Sequence, residues 1–335
     1  MNAEQKPGLM PPEWHRQEWL WIGFPDLAEE WPGWLEQAQE EIAAFANAVA
    51  NSGQEVRLLV RNQANEARAR SLASELVTIE RRVFGDIWLR DTGPLVVSGP
   101  KGRTACRFGF NGWGEKYLID GDQTIGEELG VDAGLPVIKS SMIFEGGAID
   151  SDGTGLAVTT EQCLLNPNRN PGMSREAIEH ELARMLGFKK VLWLGDGLIN
   201  DHTDGHVDNL ARFVAPGHLI VPEATGIDDP NAAIYADAKA RAEAFGLTVS
   251  TVPSPGLVTR DSAIEPASYA NFAITTKLVV VPTFGSACDD AGVGAISKFF
   301  PDRQTIGLPA KAVLAGGGGF HCASQQMPAV TMAAS

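Results

Sequence analysis

No run in this 335-residue chain approaches the ~20 apolar residues that a membrane-spanning helix needs. The longest apolar stretches, such as "KLVVVPTF" at 277–284, have the length of a buried strand. The opening residues, "MNAEQKPGLMPPEW", hold no basic segment followed by an apolar one, so no secretory leader is expected. Cysteine is scarce. The four residues at 106, 163, 288 and 322 form neither a CxxC pair nor a dense disulfide framework, which suits a reducing cytoplasm. Positive charge is also in deficit: 27 Lys and Arg stand against 42 Asp and Glu, a formal charge of −15. That balance argues against nucleic acid or an anionic membrane as partner and is compatible with a small cationic substrate. No low-complexity linker divides the chain.

What is present is an alternation of strand-like and helix-like segments. The spacing predicts helices over 31–53, 64–76, 174–186 and 230–246. Strands are expected at 55–60, around 136–148, at 155–160 and 190–194, and about a Pro-Gly turn in 211–223. "RVFGDIWLRDTGPLVV" (82–97) reads as two strands around a turn. "LTVSTVP", "TTKLVVVPTFG" and "AVLAGGGG" read as further strands, and residues 1–13 as a loosely held tail. The alternation argues for α/β organisation in one closed domain, 1–335, with a central site.

Four places carry chemistry. "NDHTDGHVDNLARF" (200–213) packs two histidines and three acids into nine residues. At a strand end, His206 and Asp208 would point to one face, because side chains repeat every two residues. An imidazole and a carboxylate in one pocket suit proton transfer and cation binding. His202 and His206 also invite a metal reading. Thr203 stands where the zincin pattern needs Glu, however, and Gly205 disfavours the helix. "WLRDTGP" (88–94) places Asp91 before a turn, and "FEGGAID" (144–150) places Glu145 before two glycines. Either acid would be unremarkable alone. Cys322 follows "GGGGFH", a loop able to crowd a ligand, whereas Cys106 and Cys163 sit in apolar surroundings and read as structural.

Together these pieces resemble the agmatine deiminase family, related to the bacterial-type peptidyl-arginine deiminases. The resemblance runs through "MPPEWHRQEWLWIGFP", "WLRDTGP", "FNGWG", "EGG", "TTEQCLLNPNRNP", "NDHTDGHVDN", "PASYANF" and "GGGGFHCASQQMP". It implies a pentein fold, an α/β propeller of five ββαβ-like units around a central active site. It implies Cys322 as nucleophile, His206 as general acid/base with Glu145 beside it, and Asp91 and Asp208 as the carboxylates that grip a guanidinium. Trp88 would line the substrate site, and the backbone at Gly319 would close on the substrate. No metal or organic cofactor is implied, and related proteins imply a homodimer or higher homo-oligomer.

The chemistry suits these residue types. A guanidinium is planar and delocalised, and paired carboxylates accept its N–H groups in a fork. The expected reaction is agmatine plus water to N-carbamoylputrescine plus ammonia through a Cys322 thiouronium. The chain departs from the family pattern at His202 and Asp204, where agmatine-specific members usually carry Glu and Asn. Asp204 would compensate if it faced the cavity. Arginine or another guanidino acid therefore stands as an alternative substrate. A metal-dependent hydrolase using His202, His206 and Asp208, and a non-catalytic guanidine-binding protein, are the readings from other classes.

Overall fold

The computed structural model describes residues 8–330. Five sheets are built to one pattern. In the first, β1 (Gln17–Gly23) pairs in parallel with β2 (Glu55–Val60), and β2 with β3 (Val77–Arg81). The second joins β4 (Leu95–Gly99), β5 (Gly102–Gly109) and β6 (Val137–Ile143). The third joins β7 (Asp150–Ser151), β8 (Leu156–Thr160) and β9 (Lys190–Leu194). The fourth joins β10 (Arg212–Ala215), β11 (His218–Glu223) and β12 (Thr248–Pro253). A small hairpin, β13 (Thr259–Arg260) and β14 (Ala263–Ile264), intervenes. The fifth sheet joins β15 (Ala273–Ile274), β16 (Leu278–Thr283) and β17 (Gln304–Pro309). The last strand, β18 (Ser324–Pro328), pairs antiparallel with β1 and so completes the first sheet.

In the five sheets β1, β5, β8, β11 and β16 are each antiparallel to one neighbour and parallel to the next, and β3 extends the first sheet by a further parallel pairing. A hairpin needs only a short turn, whereas a parallel pairing needs a crossover. Helices Leu35–Asn51, Gln63–Leu72, Ile125–Asp132, Arg175–Leu186, Ala232–Phe245 and Asp289–Ser297 lie in the six crossovers. Their apolar faces bury residues such as Ile42, Phe45, Ile178 and Leu182 against the sheets.

Just before the first strand of each unit the chain makes a tight helical turn. These turns are Leu89–Thr92, Gly146–Ala148, Val207–Asn209, Tyr269–Asn271 and the residues 320–323. The first four touch in chain order. The fifth bonds to Tyr269–Asn271 through Asn271, and Arg90 N–H donates to the Cys322 carbonyl, which closes the ring. Equivalent turns of five units thus meet at one centre.

Several expected elements differ. Helix 31–53 begins at Leu35, because Pro32 lies in a turn ahead of it. The helix expected over 64–76 spans Gln63–Leu72. The first half of 82–97 is irregular, and "LRDT" is a helical turn rather than strand. "AVLA" belongs to the helix Lys311–Ala315, whose Ala312 and Val313 N–H groups are accepted by Glu41 from a distant helix. Residues 8–13 are not a loose tail. Leu9 bridges to Ser98, Met10 N–H donates to the Leu186 carbonyl, and Glu13 is buried. The rest of that expected tail, residues 1–7, lies outside the described residues.

Candidate active site

The five turns deliver the side chains that the sequence singled out. Asp91 stands on the first, Glu145 opens the second, His206 and Asp208 flank the third, and Cys322 lies on the fifth. His206 and Asp208 share a centre because His206 caps the 3-10 turn Val207–Asn209 and Asp208 stands within it, not because they alternate on a strand. Gly147 is the close-approach point: a Cβ there would stand 2.6 Å from His206 Nδ1, 2.8 Å from Asp91 Oδ1 and 3.2 Å from Asp208 Oδ2. Only glycine leaves room for the three to converge.

Asp91 and Cys322 line a cleft, and Glu145, His206 and Asp208 lie fully buried behind them. Trp88, Asp91, Trp113 and Cys322 line its buried part, and Glu30, Tyr117 and His202 border its more exposed part. Asp91 accepts hydrogen bonds from Trp113 Nε1 (2.9 Å) and Gly147 N–H (2.8 Å). Asp208 Oδ2 accepts from His321 Nδ1 at 2.7 Å and lies 3.5 Å from Cys322 Sγ. The sulfur also receives Asn271 Nδ2 at 2.9 Å. Glu145 Oε1 is held by Arg169 Nε at 2.7 Å. His206 sits between two acids, with Nδ1 3.7 Å from Asp91 and Nε2 3.8 Å from Glu145.

The charge states follow from burial and neighbours. Burial alone would push His206 down, but Asp91 and Glu145 lift it well above the ordinary imidazole value, so it carries a proton at neutral pH. Burial raises the Cys322 thiol well above its usual range, and Asp208 and Asp91 raise it further. The Gly319 N–H and the Asn271 amide oppose them. Asp208 is held below the carboxylate range by His321 despite its burial, whereas burial and Asp208 push Asp91 up. Asp208 Oδ1, Glu145 Oε2 and both His206 ring nitrogens are buried without a protein partner among the described residues. Native interiors rarely tolerate such groups unless a function uses them.

A model of the Porphyromonas-type peptidyl-arginine deiminases matches residues 9–328. The chain belongs to that family. A Mycoplasma capricolum protein provisionally named agmatine deiminase is 33% identical over 98% of both chains. The Enterococcus faecalis agmatine deiminase structure, described as catalysing its reaction, superposes with a TM-score of 0.92 at 30% identity, covering 97% of each chain. A Cys→Ser variant of C. jejuni agmatine deiminase with substrate bound superposes at 0.89 with 27% identity over 96% of each. The fold is therefore the family's mixed α/β architecture.

Within this family member, three expected site residues sit differently. Asp204 does not face the cavity. Its oxygens are taken by Lys116 Nζ (2.6 Å), Arg169 Nη1 (2.6 Å) and Asn168 Nδ2 (2.9 Å). Gly319 packs against Asn271 and aims its N–H at the sulfur, while Gly316 and Gly317 border the cleft. His202 is exposed at the rim, stacked on Tyr117 with centroids 6.1 Å apart, and does not join His206 and Asp208. The three residues named for a metal thus do not meet. The trio whose donor atoms lie within 4.8 Å is Glu145, Cys163 and His206, and there the Arg169 guanidinium already neutralises the carboxylate. Cys163 is buried in an apolar cluster, yet it also adjoins His206.

Sequence reasoning gave no role to Asn271, Trp113, Asp86 or Glu30, although "PASYANF" and "FNGWG" hold the first two. Trp113 adopts φ +54°, which leaves its indole N–H on Asp91.

Proposed function

We propose that this chain hydrolyses the C–N bond of a guanidinium, converting agmatine and water to N-carbamoylputrescine and ammonia. The observation that carries the reading is the base of the cleft. Behind Asp91 and Cys322, which line it, Asp208 lies 3.5 Å from the sulfur and the His206 imidazole 3.7 Å from Asp91, and Asp208 Oδ1 is a buried acceptor without a protein donor among the described residues.

A guanidinium entering this base donates N–H groups to Asp91 and Asp208 while Trp88 forms a wall. Its positive charge neutralises the carboxylates that repel a thiolate, so the Cys322 thiol gives up its proton to solvent as the substrate binds. The thiolate adds to the guanidinium carbon. His206 gives its proton to the departing nitrogen, and ammonia leaves with the C–N bond. A covalent S-alkylthiouronium remains. His206, now neutral and steadied by Glu145, takes a proton from water as the water oxygen attacks the same carbon. Collapse breaks the S–C bond, restores the thiolate and leaves the ureido product. None of these steps calls on a metal or an organic cofactor.

The family's naming of agmatine deiminases supports this substrate, as does a cleft lined by carboxylates and no Lys or Arg. We read the chain as one catalytic domain acting as a homo-oligomer. Four free cysteines suit the cytoplasm, and no helix among the described residues is long and apolar enough to cross a membrane. Cys322→Ala should lower ammonia release from agmatine by at least about 10³-fold while its far-ultraviolet circular dichroism stays that of the parent. Retained turnover in that variant overturns the mechanism.

A further inference from the structure

Given the deiminase reading, the unresolved matter is what meets the far end of the substrate. His202 stands where the resemblance leads one to expect Glu, and Asp204 is spent on Lys116, Asn168 and Arg169. Another acid lines the outer cleft. Glu30 lies in the loop between β1 and the helix Leu35–Asn51, is half-buried, and borders the same cavity as Cys322. Behind it stands Asp86, fully enclosed, with Oδ1 taken by Ile87 N–H (2.7 Å) and Oδ2 by Trp88 Nε1 (2.9 Å). The two carboxylates are close enough for Glu30 to raise Asp86.

We propose that Glu30, backed by Asp86, is the specificity-determining counter-charge for a second cation on the substrate. The preferred class is then an alkylguanidine ending in an ammonium, and guanidines ending in a carboxylate are rejected. The geometry gives the reason. With Asp91, the lining carries three carboxylates and no Lys or Arg, so an acidic tail finds no partner and meets Glu30. The aromatic rings of Trp88, Trp113 and Tyr117 suit an apolar methylene chain between the two charged ends. Asp86 has both oxygens committed to holding Trp88 and the backbone, which leaves Glu30 as the carboxylate free to turn toward the ligand. His202, at the exposed rim, contributes no negative charge.

Wild-type and Glu30→Gln enzymes are compared on agmatine and on n-butylguanidine, which has the same chain without the ammonium. Glu30→Gln is expected to raise KM for agmatine about three- to fivefold, the upper range of a partly exposed charge pair, with kcat within about twofold. KM for n-butylguanidine should move by less than about twofold. Arginine should remain a poor substrate for wild type. Glu30→Lys should worsen KM for agmatine beyond Glu30→Gln. An unchanged KM for agmatine in Glu30→Gln overturns the assignment, and so does an equal rise for both compounds, which marks a structural effect. Turnover of neither guanidine by wild type overturns the deiminase reading and this proposal together.

Discussion

Cys322 is held as a thiol by the carboxylates that the substrate needs. Asp208 lies 3.5 Å from the sulfur, and its charge adds to burial in raising the thiol. The two functions of Asp208 can therefore be separated. Asp208→Asn removes the repulsion, so Cys322 should react faster with iodoacetamide at a fixed pH near 8. The same variant loses a carboxylate for the guanidinium, so ammonia release should fall by at least about 10²-fold. Peptide mapping distinguishes Cys322 from Cys288, which is partly exposed. Slower alkylation of Cys322 in Asp208→Asn would show that the carboxylate acts as a base on the sulfur and not as a repelling charge. The glycines that precede the cysteine are resolved at this scale too. A Cβ at Gly316 would strike the Trp31 ring, one at Gly318 would stand 2.7 Å from Trp88, and one at Gly319 2.6 Å from Asn271 Oδ1. The loop is a wall fitted to aromatic rings and an amide, and each glycine has its own neighbour.

Among the elements, what could be read from the chain depended on whether a local pattern decided the outcome. The helices Arg175–Leu186 and Ala232–Phe245 follow their expected spans closely, because periodicity and a left-handed glycine at each end act locally. β18 was missed because "SQQMP" is polar, yet all five residues are buried. Gln325 accepts from distant Arg90 Nη1 at 2.9 Å, and Ser324 donates to the nearby Phe320 carbonyl, so these two side chains find partners inside the fold. The turn at His206–Asp208 was read as strand end for a similar reason. Its shape is set by meeting four other turns, which no window of sequence contains. The candidate residues themselves were legible because an unusual residue type stands at the turn in four of the five units. Glu13 was not. It reaches across the fold to accept from Ile274 N–H (2.8 Å), pairs with Arg212, and lies 3.2 Å from His321 Nε2. Burial would raise its pKa, but Arg212 and His321 hold it well below the carboxylate range. Glu13→Gln leaves the buried Arg212 and His321 short of charge and should cost about 3–5 kcal/mol in urea unfolding near pH 7. That penalty should shrink in acid, where the wild-type carboxylate also takes up a proton. A loss below about 1 kcal/mol would mean that Asp150, 3.2 Å from Arg212, carries the pair alone.

Taken as a whole, the molecule is acidic, and part of its negative charge is withheld by folding. Asp122 is pushed up to about 8, by burial first and then by Asp86, against the pull of the Gly85 and Asp86 N–H groups. Asp86 is itself raised to about 6, chiefly by burial. Both acids hold protons in the folded chain over a range where an unfolded aspartate, near 3.9, has lost them. Stability from these sites is therefore complete below about pH 4 and is lost as pH rises through about 6 and then 8. Within that window each site contributes a slope of at most about 1.4 kcal/mol per pH unit. Asp122→Asn keeps an oxygen for the Gly85 and Asp86 N–H groups but cannot ionise. Urea unfolding of the two proteins should give similar stabilities below about pH 4 and a growing advantage for the variant between about pH 4 and 8. The difference curve isolates this site from lowered acids such as Glu13 and Asp208, whose contributions run the other way and fade only in acid. Asp86 also holds Trp88 Nε1 at the cleft, and because it ionises first, its charge helps keep the proton on Asp122. Parallel stability profiles for the two proteins would place the proton elsewhere and break this link between the acidic interior and the wall of the active site.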